Sequence, residues 1–457
     1  QFSELAGGGP KHRLFSCFEA VPVNAIWAVR DVNATLCRGE AGCAKGVLEN
    51  YRRGSENRAP PRDIGIQRMP DKRYSSIEMI KRLVSFDTTS TASNLALINF
   101  VADYLAALGI DSHLIHDESG EKANLYATIG PRDVPGIVLS GHTDVVPVDG
   151  QAWDTDPFEV VEKENRLYGR GTSDMKSFIA IALAMAPDFA TRDLKTPVHF
   201  ALSFDEEVGC LGAPLMIRKM DQLGAKPRAV IVGEPTQMSV VNAHKGVYSF
   251  ITTVKGLERH SSETHRGVNA IAYGAELVNF LTTVGEEMRD QQSDPESGFD
   301  PPFTTVHVGT MQGGTAQNIV PLNCIFSWEY RLMPGEDASD IRNRFQAHVE
   351  RVVLPKMHAV DETTAIETEV RAVVPGLVPE DGSAAEALVL ALARKNSTEV
   401  VAYGTEAGQF QEAGNQAVIC GPGSIAQAHK PNEYIDLGEV RACEIFMRRL
   451  LDEVCAA

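Results

Sequence analysis

His142 and Asp144 stand one residue apart, directly after the apolar run Ile137-Val138-Leu139 and a glycine. A chain that leaves a buried strand and at once presents an imidazole and a carboxylate either caps its own turn or holds a metal ion. The arrangement recurs. "VHFALSF" (198–204) precedes Glu206 and Glu207, "AVIVG" (229–233) precedes Glu234, and "AVIC" (417–420) precedes His429 by nine residues. Asp174 follows the glycine-rich turn "LYGRGTSD" at the start of an apolar helical run. Singly, each has an ordinary explanation: "DEE" at 205–207 as a solvated turn, His429 as a loop histidine. Together, two imidazoles (His142, His429) and three carboxylates (Asp174, Glu207, Glu234) make an N/O donor set suited to zinc, cobalt or manganese. With Asp174 bridging, the set is large enough for two ions.

Residues as far apart as 142 and 429 meet only if their strands lie side by side. In open α/β sheets, ligand sites form just beyond the carboxyl ends of the strands. The four apolar runs read as such strands, and helical patterns such as "DMKSFIAIALAMAPDF" (174–189) alternate with them, which predicts an α/β fold with a mainly parallel sheet. Upstream, "SNLALINFVADYLAALG" sets Leu97, Ile98, Val101, Leu105 and Leu108 on one helical face, with Ser93 or Asn94 as cap and Gly109 as stop.

Residues 247–374 have another texture. "VYSFITTV", a helix, "TTVHVGT", "LNCIFSWEYRL", a second helix and "IETEVRAVV" follow in the order βαββαβ. That order predicts a small α+β sandwich, ferredoxin-like in its connectivity, inserted into the larger domain. In 322–330, Leu322, Cys324, Phe326, Trp328 and Tyr330 share the apolar face, and Arg331 falls on the other with Glu329.

At 457 residues the chain exceeds the size at which single cores stop growing, so two domains are expected: 69–246 with 375–457, and the insert 247–374. The formal charge is −18; residues 1–68 carry 10 basic and 7 acidic groups, so the remaining 33 basic and 54 acidic groups leave the body at −21. Such a body repels phosphate backbones, which argues against a nucleic-acid partner. No run approaches the roughly 18 apolar residues of a membrane span. Eight cysteines without a CxxC pair suit a reducing, cytoplasmic compartment. Residues 1–68 lack sustained periodicity and read as a disordered leader, or as sequence upstream of a natural start near Met69.

"SGHTDVVPVDG", "LYGRGTSDMK", "SFDEEVGCLG" and "VGEPT" resemble the signature segments of the di-zinc aminoacylase and carboxypeptidase superfamily, and the similarity runs from about Ser75 to the C-terminus. "YGTEAG" and "GPGSIAQAHKPNEY" resemble its acetylornithine deacetylase branch, although Asn432 stands where Asp is common and Thr264-His265 alter the turn behind His260. The resemblance implies a di-zinc aminopeptidase-like catalytic domain and a lid that also serves dimerisation. It implies two Zn2+ per subunit, with Co2+ an acceptable substitute: His142 and Glu234 on one ion, Glu207 and His429 on the other, Asp174 between them. Asp144 then orients the His142 ring, and Glu206 is the general base. His260 is a lid histidine that reaches a reacting oxyanion, often from the second subunit of a homodimer. Asn318 and Arg331 hold the substrate, and Gly404 and Thr405 line its pocket.

A guanidinium at Arg331 suits the carboxylate of any N-acyl amino acid, although a plain surface ion pair is its ordinary alternative. Glu406, from its place in "GTEAG", is expected to favour a cationic side chain. The implied activity is metal-dependent hydrolysis of N2-acetyl-L-ornithine to ornithine and acetate, a step towards arginine. Succinyl-diaminopimelate desuccinylase, a broader N-acyl-amino-acid amidohydrolase or dipeptidase, and a non-catalytic binding protein on the same fold are the rivals.

Overall fold

The computed structural model describes residues 73–456, and the leader expected over 1–68 lies outside them. The four apolar runs become adjacent strands. In chain order the strands are β1 (Ser112–His116), β2 (Ala123–Ile129), β3 (Ile137–His142), β4 (Val161–Lys163), β5 (Arg166–Tyr168), β6 (Val198–Ser203) and β7 (Ala229–Pro235). Then come β8 (Val240–His244), β9 (Gly246–Lys255), β10 (Thr305–Gly313), β11 (Asn323–Leu332), β12 (Ala365–Val374), β13 (Thr398–Val401), β14 (Ala417–Gly421) and β15 (Tyr434–Asp436).

Among the described residues, eight strands form one sheet in the order β1-β2-β6-β3-β7-β14-β8-β13. Its centre, β6-β3-β7-β14, is parallel throughout. Antiparallel pairing enters at β1-β2, β2-β6 and β14-β8, so the sheet is mixed with a parallel core. Every residue of those four central strands is buried. That explains why they read as continuous apolar runs rather than as alternation: both faces are covered.

Alternate side chains nonetheless go to different cores. Leu139, Phe200, Ile231 and Val418 join helices 76–84, 95–107, 176–184, 384–393 and 437–455 on one face. Val138, Ala201, Val230 and Ile419 join Met216, Met220 and Phe410 on the other. The helix Lys176–Ala184 is apolar from Phe178 onward, and its residues from Lys176 to Leu183 are all buried.

The insert forms a separate four-stranded antiparallel sheet, ordered β10-β11-β9-β12. Cys324, Phe326, Trp328 and Tyr330 share its buried face, as their alternation predicts, and pack with the helix Ala270–Gln291 and with Phe345. Phe250 stacks on Trp328 with ring centroids 4.3 Å apart. The opposite face stays open, and there Val247 lies between Arg331 and Val374 in register.

Candidate metal centre

The strand order delivers the candidate ligands to one place. His142 ends β3, Glu234 lies in β7, and Glu206 and Glu207 sit just past β6. His429 arrives on the loop that follows β14, with φ +62°. For a non-glycine residue that left-handed conformation costs about 1–3 kcal/mol and persists where the surroundings impose it. Asp174 stands between the two imidazoles. Its Oδ1 lies 3.1 Å from His142 Nε2 and its Oδ2 lies 3.4 Å from His429 Nε2. Glu207 Oε2 reaches His429 Nε2 at 2.9 Å, and Glu234 Oε1 reaches His142 Nε2 at 3.7 Å. Donor atoms of His142, Asp174 and Glu207 lie within 4.8 Å of one another, as do those of His142, Glu206 and Glu234.

Asp144 organises the surroundings twice over. Its backbone carbonyl accepts from His142 Nδ1 at 3.0 Å, which leaves Nε2 free to face the cluster, while its carboxylate stands at 3.5 Å from the same nitrogen. That carboxylate also accepts the backbone N–H groups of Glu206 (3.1 Å) and Glu207 (3.3 Å) and the hydroxyl of Ser90 (2.7 Å). The imidazole and both glutamates of "DEE" are therefore set by one buried residue. Lys122 fixes the start of the same loop by pairing with Asp205.

The electrostatics of the cluster fit a bound cation. Burial pushes the Glu206 carboxyl up to about 8, with Glu207 and Asp174 adding to the rise and His142 opposing it. Burial and Asp174 likewise lift Glu207 to about 7, and Glu234 is raised well above its ordinary range. Hydrogen bonds to Asp174 and Glu207 carry His429 up to about 10. Asp174 moves the other way: burial opposes its charge, but the two imidazoles more than compensate. Glu234 Oε1 is buried and has no hydrogen-bond partner among the described residues. Crowded, desolvated carboxylates with an orphaned oxygen are stabilised by a divalent ion, and the oxygen-nitrogen set suits zinc or cobalt.

A cavity of about 480 Å³ opens beside the cluster, bounded by Asp174, Glu206, Glu207, Glu234 and His429 on one side and by Val247, Arg331 and Val374 of the second sheet on the other. Gly404 and Tyr403 also line it. A Cβ on Gly404 would lie 2.4 Å from Val247 Cγ2, so the close approach of the two segments requires glycine. Arg331 faces the cavity while paired with Glu329 through both Nε (3.0 Å) and Nη2 (3.3 Å).

Other expected residues lie elsewhere. Thr405 is fully buried, and its hydroxyl accepts from the Ala407 backbone N–H. Glu406 is 1% exposed and sits behind the strand ends, held by the hydroxyls of Ser140 and Ser203 rather than facing the cavity. Its place beside the pocket in sequence is thus a place beneath it in space. His260 and Asn318 are brought together, since the Ser261 N–H donates to the Asn318 carbonyl, but both are exposed on the insert and neither borders the cavity.

Sequence reasoning overlooked two features. Cys210 donates its thiol to Glu206 Oε1 at 3.2 Å. Glu433 and Arg170 form a wholly buried pair behind Asp174. "NEY" was the available signal for Glu433, an acid four residues past His429.

Acids and imidazoles, all but the exposed His429 largely shielded, converge at the ends of parallel strands under a second sheet, and with the family and relatives that follow they mark a metal-dependent amidohydrolase. The chain belongs to peptidase family M20/M25/M40, whose model matches residues 138–453. Among known relatives, an acetylornithine deacetylase of Myxococcus xanthus is 36% identical over 383 residues, covering 82% of this chain and 96% of that protein. An acetylornithine deacetylase of Proteus mirabilis is 32% identical over 397 residues, covering 83% and 97%. Among solved structures, an M20 family metallo-carboxypeptidase of Sulfolobus solfataricus matches with TM-score 0.67 at 18% identity, over 84% of this chain and 99% of that one. Human carnosine dipeptidase 1 matches with TM-score 0.63 at 17% identity, over 83% and 96%.

Proposed function

We propose that the protein is an acetylornithine deacetylase, hydrolysing N2-acetyl-L-ornithine to ornithine and acetate on the way to arginine. Alignment with relatives of that name over nearly their whole length supports the substrate. The observation that carries the chemistry is Asp174, one carboxylate oxygen towards each of two imidazoles.

His142 and Glu234 would hold one zinc ion, Glu207 and His429 a second, and Asp174 both. Ions held there would supply the Lewis acidity that lowers the pKa of a water and polarises an amide carbonyl. The protein's own groups do the rest. Glu206, whose carboxylate lines the cavity beside the metal-capable cluster, takes a proton and returns it to the departing amine. Cys210 restrains that carboxylate through Oε1. Arg331, on leaving Glu329, grips the α-carboxylate with two parallel hydrogen bonds. Val247, Val374 and Gly404 shape the wall of the cavity.

The insert, 247–374, acts as a lid and dimerisation domain on the catalytic domain, 69–246 with 375–457. Exposure of His260 and Asn318 away from their own cavity supports a role across a homodimer, in the partner's site. Free cysteines at 210, 324, 420, 443 and 455 support a reducing, cytoplasmic setting.

Hydrolysis of N2-acetylornithine, N-acetylmethionine and N-succinyl-diaminopimelate by zinc- and cobalt-loaded protein tests the reading. The expected result is the highest kcat/KM on N2-acetylornithine and loss of activity on chelation. A preference for the succinyl substrate, or activity that survives chelation, overturns it.

A further inference from the structure

Glu433 lies four residues past His429, is 1% exposed, and has both carboxylate oxygens engaged. Oε1 accepts the backbone N–H groups of Gly171 (3.0 Å), Ser173 (2.8 Å) and Asp174 (3.1 Å). Oε2 accepts from Arg170 Nη1 at 2.6 Å. Converging backbone N–H groups form a concavity that favours an anion, here supplied by the protein itself.

The bonds continue beyond the pair. Arg170 Nη2 donates to Gln151 Oε1 at 2.7 Å, and Gln151 Nε2 donates to the backbone carbonyl of His429 at 3.1 Å. The path begins at the amide of the residue that offers the bridging carboxylate and ends on the peptide of the more distant imidazole. β5, which leads into the Asp174 loop, pairs antiparallel with β15, which begins directly after Glu433. Side chains and backbone ladder thus tie together the same two loops. A carboxylate shared by two ions must offer each oxygen to within a few tenths of an ångström, and two untethered loops do not hold such a tolerance.

We propose that Glu433, Arg170 and Gln151 are positioning residues, a clamp that sets Asp174 and His429 relative to one another and preorganises the metal position they share with Glu207. The proposal rests on the two-ion reading given above. Charge matters in it: Arg170 and Glu433 are paired out of water, where loss of one partner leaves the other unsatisfied.

Zinc titration of the metal-free full-length protein against a chromophoric chelator tests this, comparing wild type with Gln151→Ala and Glu433→Gln and recording the melting temperature of each metal-free form. Wild type is expected to bind two equivalents. Gln151→Ala breaks the link to the His429 carbonyl and also removes the acceptor of Arg170 Nη2 and Trp153 Nε1, so it should lower the metal-free melting temperature only slightly, with the protein still folded, and weaken one of the two equivalents by about 10- to 100-fold. Glu433→Gln keeps an oxygen for the three N–H groups but loses the Arg170 pairing. It should weaken both equivalents in the fraction that remains folded. Wild-type affinity for both equivalents in Gln151→Ala overturns the clamp, whatever Glu433→Gln does to folding. A wild-type protein that binds no zinc overturns the two-ion reading instead.

Discussion

Ser203 Oγ donates to Glu406 Oε2 at 2.7 Å, joining the end of β6 to the segment 402–407, and Ser140 on β3 donates to the other oxygen. These are the two strands that deliver Glu206 and His142. Glu406 therefore braces the floor of the site, and a positional loss there is blind to the substrate's side chain. Glu406→Gln is expected to lower kcat/KM by a similar factor, about 10-fold, on N2-acetylornithine and on N-acetylmethionine. A loss confined to the cationic substrate, measured in parallel assays, would return Glu406 to the selection of charge.

Glu206 belongs by distance to a cluster with His142 and Glu234, so a ligand role competes with its role as base. The two make different forecasts for Glu206→Gln. As base, the variant keeps two zinc equivalents by metal analysis while kcat falls by about 10²- to 10⁴-fold. If one equivalent is lost with the activity, Glu206 is a ligand.

Proton release provides an independent check on the donors. Glu206 near 8, Glu207 near 7 and His429 near 10 all retain protons in the metal-free fold at pH 6. A cation must displace those held on its ligands, so affinity rises with pH. The two glutamates contribute to metal-free folding in the opposite sense. Their folded values lie above the ordinary 4.5, so the stability they confer is present below that value and is lost as pH climbs through 7 to 8. Zinc affinity from chelator competition should tighten by at least about 10-fold per unit from pH 6 to 8, and the melting-temperature gain on adding zinc should widen with it. A flat profile over that range would show that the raised groups are not the ligands.

The parallel core, and the acids and imidazoles at its strand ends, were readable because burial on both faces leaves uninterrupted apolar runs. The chemistry then begins where each run stops, as at Leu139-Ser140-Gly141-His142. The insert was readable for the converse reason: Cys324, Phe326, Trp328 and Tyr330 alternate because one face of β11 stays open. Glu406 and Glu433 resisted reading because an acid in a loop looks the same in sequence whether it meets substrate, serine hydroxyls or backbone amides. Only the packing of segments hundreds of residues apart distinguishes these fates: Ser140 and Glu406 are 266 positions apart, Ser173 and Glu433 260. Arg331 had two rival readings, ion pair or substrate grip, and the structure contains the pair at the cavity wall, where both are compatible.

His260 poses the question of which cavity it serves. It is exposed, its Nδ1 bonds to Ser262 Oγ at 2.8 Å within its own turn, and the cavity of its own chain is lined by other residues. If it completes the site of a second copy, defects in His260 and Glu206 should complement when placed on different chains. In a heterodimer of His260→Ala with Glu206→Gln, the His260→Ala chain keeps its own base and receives an intact histidine from its partner. The other site carries both lesions. Each variant alone is expected to lose at least 100-fold in kcat, as the removal of an oxyanion donor or of a base does. Unfolding and refolding an equimolar mixture gives heterodimers in half of the molecules at random association, so activity should recover to about a quarter of wild type. Activity that stays at the level of the separate variants, in a mixture whose heterodimers are verified by differential tags, would mean that His260 acts on its own chain or not at all.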